Sequence, residues 1–308
     1  MDWTAVTPLL ASFVPGQLSL AGQRQVSLNF ASTYPANEPN LMLANLSGKT
    51  SLGFDQAKYM GFDFGPTDVG IRVDNGLMRI EPFSTAVNNG KLSFAGQADL
   101  RKRPVILTIG APEHLVQAVR INTETTERLL KYVNPVFANA VNVTGIANFD
   151  LAQLAIPLTS GGAAKPEITG TLWIDKLELG ASNILNEILS VGGQSFRGEL
   201  LTVHPTNLVL HNGVVRYDDM QIDVGNNPIN FRGSVGPNGV LNLTVVLPYT
   251  IEGRTVRVGQ EQGAGNRIVV PLTGTVAKPQ LNLQELVKSQ LQQQIQKGLQ
   301  ELFKKRSP

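Results

Sequence analysis

In Val69-Gly70-Ile71-Arg72-Val73-Asp74-Asn75-Gly76-Leu77-Met78-Arg79-Ile80 the apolar residues of the first limb fall on every second position, which puts them on one face of a strand. Asn75-Gly76 then supplies the dipeptide that best tolerates the positive φ angles of a two-residue hairpin turn, and the chain returns as a second strand. The same phrase recurs as Leu208-Val209-Leu210-His211-Asn212-Gly213-Val214-Val215-Arg216, at an offset of 212 − 75 = 137. Leu92-Ser93-Phe94-Ala95-Gly96 answers to Ile229-Asn230-Phe231-Arg232-Gly233 at that offset, since 231 − 94 = 137. Val105-Ile106-Leu107-Thr108-Ile109 then matches Leu241-Asn242-Leu243-Thr244-Val245 with one residue deleted.

Ile156-Pro157-Leu158-Thr159 and Val270-Pro271-Leu272-Thr273 form a shorter pair, each followed by a Lys-Pro step at 165–166 or 278–279. The fold expected is mainly β: an elongated, curved antiparallel sheet with an apolar groove, built from two related repeats with a few short helices. The divisions are 1–44, strands continuing an upstream sheet; 45–160, repeat one; 165–282, repeat two; and 283–305, a carboxyl-terminal amphipathic helix. Within repeat one, a helix is expected near 123–134, capped by Asn122 or Thr123, and residues from about 113, including His114, already leave the strand pattern. Ser182 to Leu189 reads as a short helix closed by Gly192-Gly193. In the tail, Leu283, Val287, Leu291, Ile295, Leu299 and Phe303 form a stripe at helical spacing, and Val287 to Phe303 is its expected partner-binding face.

Composition narrows the chemistry. The 308 residues include no cysteine, so thiolate nucleophiles, disulfides and cysteine-held metals are excluded. Charged residues make up 16% and the net charge is +2, which argues against a nucleic-acid partner. No apolar run is long enough to span a bilayer and the amino terminus does not read as a signal peptide. The chain therefore reads as cytosolic, or as a piece whose targeting segment lies upstream.

No catalytic constellation stands out. His114, His204 and His211 are scattered, and Asp218-Asp219 with Asp223 lacks the spacing of an ion-binding loop, its neighbouring carboxylates being expected on opposite strand faces. Neither a metal nor a cofactor is expected. What remains is apolar surface: Ile71, Val73, Leu92, Phe94, Val105, Leu107 and Ile109 in repeat one, with Leu208, Leu210, Ile229, Phe231, Leu241, Leu243 and Val245 in repeat two. These faces either close on one another as a core or line an open trough that receives acyl chains.

The pattern of strand, Asn-Gly, strand with Arg, then Phe-x-Gly resembles the carboxyl-terminal region of AsmA-like proteins, the TamB relatives included. So do Leu129-Leu130-Lys131-Tyr132-Val133-Asn134-Pro135 and the closing Pro271-Leu272-Thr273-Gly274-Thr275-Val276-Ala277-Lys278-Pro279-Gln280-Leu281-Asn282-Leu283. The resemblance implies a non-enzymatic periplasmic module, attached to the inner membrane through an upstream segment. It would shield phospholipid acyl chains in a hydrophobic groove for transport between membranes or for outer-membrane biogenesis. The other reading is a structural module that offers its sheet edge and carboxyl-terminal helix to an outer-membrane or envelope protein.

Overall fold

A computed structural model describes residues 3, 18–23, 26–39, 41–158, 165–180, 182–248, 250–251, 254–255 and 267–284. The protein is mainly β. Its strands are β1 (Leu18–Ala21), β2 (Asn29–Ala31), β3 (Ser47–Phe54), β4 (Gln56–Tyr59), β5 (Phe62–Phe64), β6 (Thr67–Asp74), β7 (Leu77–Val87), β8 (Gly90–Asp99), β9 (Ile106–Thr108) and β10 (Glu113–Ile121). There follow β11 (Thr144–Pro157), β12 (Glu167–Glu178), β13 (Leu201–His211), β14 (Val214–Val224), β15 (Asn227–Val235), β16 (Leu241–Pro248), the short β17 (Thr250–Ile251) and β18 (Arg254–Thr255), β19 (Arg267–Thr275) and β20 (Lys278–Leu281).

Eighteen of these strands form one sheet, and neighbours pair antiparallel because short turns join most successive strands. Hydrogen bonds link β2, β3, β6, β7 and β8 in that order. The next position is shared by β9 and β10, and β11 to β16, β19 and β20 continue the ladder. Strands β1, β4 and β5 attach at the far end of β7, where Phe64 pairs with Val87.

Both Asn-Gly turns have the backbone that their sequence predicts: φ is 45° and 77° at Asn75 and Gly76, and 53° and 78° at Asn212 and Gly213. The return strands are each 11 residues long, and each carries a register shift, between Ile80 and Phe83 in β7 and between Tyr217 and Met220 in β14. Those shifts lie 217 − 80 = 137 and 220 − 83 = 137 residues apart. Downstream the register differs from the sequence alignment. Ala98 pairs with Leu107, whereas Val235, 137 residues on from Ala98, pairs with Leu241. The partner of Leu107 is thus Leu241 and not Leu243, a two-residue slip that preserves the face because side chains alternate with period two.

Residues 113–121 form strand β10 and not the start of a helix, so His114 lies on a strand. The helix of this region is shorter than expected, Thr123–Arg128, with single 3-10 turns at Leu130–Tyr132 and Pro135–Phe137. Asn122 caps it, its Oδ1 accepting from the Thr125 amide at 2.9 Å. A second helix, Asn183–Val191, begins at Ser182, whose Oγ accepts from the Leu185 amide and donates to the Val136 carbonyl. Ile184, Leu185, Ile188 and Leu189 recur at helical spacing and are buried. Together with Val136 and Phe137 they belong to one core cluster with the inward residues of β12 to β16 and β19. Val287, Leu291, Ile295, Leu299 and Phe303 lie outside the described residues.

Candidate functional site

Directly paired residues of an antiparallel ladder share a face. Tracing the register from strand to strand therefore shows which side chains line one surface. In the first half one row runs Val73, Met78, Ala98, Leu107, Ile156, and another runs Thr50, Ile71, Ile80, Gly96. Beyond the shift in β7 come Phe83 with Phe94, then Thr85, Leu92, Val116 and Phe149. The second half continues the same face through Ile174, Val203, Ile222 and Ile229, and through Met220, Phe231, Val245 and Val270.

The two halves treat this face differently. Ile229, Phe231 and Val245 have no exposed surface, Leu241 and Leu243 are 4% and 3% exposed, and Leu208 is 9% exposed. The 130–137 segment and the helix at 183–191 cover them. In the first half Ile71, Met78, Ile80, Phe83, Leu92, Phe94, Leu107 and Ile109 are only half-buried, although Val73 and Val105 are buried. Leu210 is half-buried as well. Val105 and Ile109 flank the three-residue β9 and do not lie within it, so the alternation read through 105–109 holds for the strand only at 106–108.

Several first-half details keep this face apolar and shaped. Phe83 and Phe94 meet edge to face with ring centres 6.3 Å apart. Gly96 lies between Phe94 and Leu107, and a Cβ there would stand 3.1 Å from both side chains. Where β8 passes from its β10 neighbour to its β9 neighbour, the ladder has a gap. The Glu113 carboxylate fills it, accepting from the Ala95 amide at 3.1 and 3.0 Å. Thr50 Oγ1, on the same face, is buried with no hydrogen-bond partner.

Met78, Ile80, Phe83 and Phe149 are face residues that the alternation search did not pick out. Their signal was present but broken: Glu81-Pro82 sits at the β7 shift and puts Phe83 one place out of phase with Ile80.

The titratable groups are dispersed. Each histidine contacts one carboxylate: His114 Nδ1 with Asp150 at 2.7 Å, His204 Nε2 with Asp223 at 2.7 Å, and His211 Nδ1 with Glu167 at 2.9 Å. Asp223 and His211 thus have different partners, and the structure does not bring them together with Asp218. Asp218 and Asp219 are both exposed and do not point to opposite faces, because the β14 shift falls between their neighbours Tyr217 and Met220, which are both buried. Among the described residues no three His, Asp or Glu side chains gather as metal ligands. Burial pushes the Tyr217 hydroxyl well above its usual value, with Asn134 Nδ2 3.4 Å away in the second-half core. No described helix is long and apolar enough to cross a membrane. No family model, curated protein or solved structure matches the chain.

Proposed function

We propose that the protein is a non-enzymatic module of the cell envelope, resembling AsmA-like proteins, that shields acyl chains against the apolar face of its first half. In this reading the sheet is elongated and curved and is made of two related repeats. The second repeat is closed over its own helix and gives rigidity, while the first offers a groove. One observation carries the proposal: register-matched residues that are buried in the second half, Phe231 and Ile229 among them, have first-half counterparts, Phe94 and Leu92, that are half-exposed. A half-exposed apolar face of this extent is favourable to cover, and burial yields about 0.8 kcal/mol per methylene, so an alkyl chain would be held by its tail with little head-group chemistry.

The test is native mass spectrometry of gently purified protein, with binding of a fluorescent fatty acid as a second measurement. Acyl lipid should co-purify, and Phe94→Asp and Leu107→Asp should lower its amount while the protein stays folded. If no acyl lipid is found and the fatty acid binds the wild type no better than these variants, the proposal fails.

A further inference from the structure

The outer face of the first half carries an arrangement that neither the fold nor the apolar face explains. Lys49 on β3 pairs directly with Arg72 on β6, and Arg72 pairs directly with Arg79 on β7. Three cations therefore stand in a row across three adjacent strands, on the side opposite Ile71 and Ile80. Like charges in directly opposed positions destabilise a sheet. Only Arg72 is neutralised within the row, by Asp74 at 2.8 Å. Next along the sheet, the turn after β8 adds Arg101, Lys102 and Arg103. Asp99 holds Arg101 at 2.8 Å, while the Lys102 ammonium is 3.9 Å from that carboxylate, with its side chain 79% exposed.

Apolar side chains border these charges. Leu77, on the same outer face as Arg79, is 38% exposed, and Met42 and Leu43 on the 41–44 helix are 42% and 36% exposed. The backbone ties these parts into one corner: the Gly76 amide donates to the Leu46 carbonyl and the Leu100 amide to the Gly76 carbonyl. A hollow of about 490 Å³ opens there, lined by Leu77, Arg79, Lys102, Pro104 and Ile106 among others.

We infer that this corner docks on an anionic bilayer surface, with Lys49, Arg79 and Lys102 against lipid phosphates and Leu77, Met42 and Leu43 entering the interface. Charge complementarity selects an anionic partner. The protruding apolar residues select a bilayer over nucleic acid or an acidic protein, since such side chains gain nothing against a polyanion in water. The inference goes beyond the acyl-chain reading and does not need it, because these residues occupy the opposite face.

Sedimentation of the full chain with vesicles tests it. Vesicles containing phosphatidylglycerol should bind it, pure phosphatidylcholine vesicles should not, and salt should release it. Arg79→Glu with Lys102→Glu should weaken binding by at least about tenfold, from a contribution of roughly fivefold per cation. Leu77→Ser should weaken it further. The neutral pair Lys49→Gln and Lys102→Gln, checked for unchanged circular dichroism, covers the case in which charge reversal unfolds the sheet. Equal binding to both vesicle types, binding unaffected by these variants, or binding to DNA in preference to anionic vesicles would overturn the inference. Acyl-lipid content of the same variants is read separately, so the two readings fail independently.

Discussion

Gly76 and Gly213 hold the same turn position with nearly the same φ, 77° and 78°, yet their surroundings differ. A Cβ on Gly76 would come 2.5 Å from the Ala44 carbonyl oxygen, a backbone atom, whereas one on Gly213 meets only Lys165 and Pro237 side-chain carbons at 3.7 Å. Gly213→Ala should cost only the left-handed strain, roughly 1–2 kcal/mol, and Gly76→Ala clearly more, by chemical denaturation of the two variants. Equal losses would contradict this account. On the turn after β8, hydrogen bonds from the Arg101 guanidinium pull the Asp99 carboxyl down from 3.8 to about 2. A carboxyl depressed in the folded state supports the turn above its ordinary value, and that support disappears as pH falls through about 2. The Asp99 carboxyl carbon should therefore titrate near 2 by NMR, and in Arg101→Ala it should return towards 3.8; an unshifted wild-type midpoint would refute the pairing. At this scale the Asn-Gly turns were legible because the backbone requirement is local. The common exposure of Asp218 and Asp219 was not, because it depends on a register shift set by the strand opposite.

Elements were legible where their periodicity was unbroken. Ser182 and Gly192 bracket the helix at 183–191 as its sequence indicates. Strand β10 was hidden because two register shifts, after His114 and after Val116, break its alternation, and Ala118 adopts a φ of 51°. The same dependence on what lies opposite decides the worth of each face residue. Phe231 is fully buried against the second-half core, so Phe231→Ala should cost about 3–5 kcal/mol, through lost transfer energy and the cavity left behind. Phe94, its counterpart 137 residues earlier, is half-exposed and leaves no enclosed cavity, so Phe94→Ala should cost less than half as much in the same denaturation series. Comparable losses would mean that the first-half face is closed in solution.

For the molecule as a whole, the β class and the antiparallel hairpins could be read from the chain, but the difference between the halves could not. The repeated segments carry the same apolar faces; what fills one of them is supplied by residues outside the repeated phrases, the 130–137 turns and the helix at 183–191. Periodicity marks which side chains share a face and is silent about what covers it. The consequence is a gradient of stability along one continuous ladder. Amides of β13 to β16 lie in strands whose inward side chains, such as Val203, Ile222, Ile229 and Val245, are within 1% of complete burial. Amides of β6 to β9 lie in strands with half-exposed inward side chains, where local opening uncovers little additional apolar surface and so costs less. Hydrogen exchange followed by mass spectrometry should show peptides within 201–247 exchanging only through global unfolding, and peptides within 67–108 exchanging earlier through local opening. Adding a saturating fatty acid should slow the second group selectively if the acyl-chain reading holds. Uniform protection along the ladder in its absence would show that the first-half face is already covered.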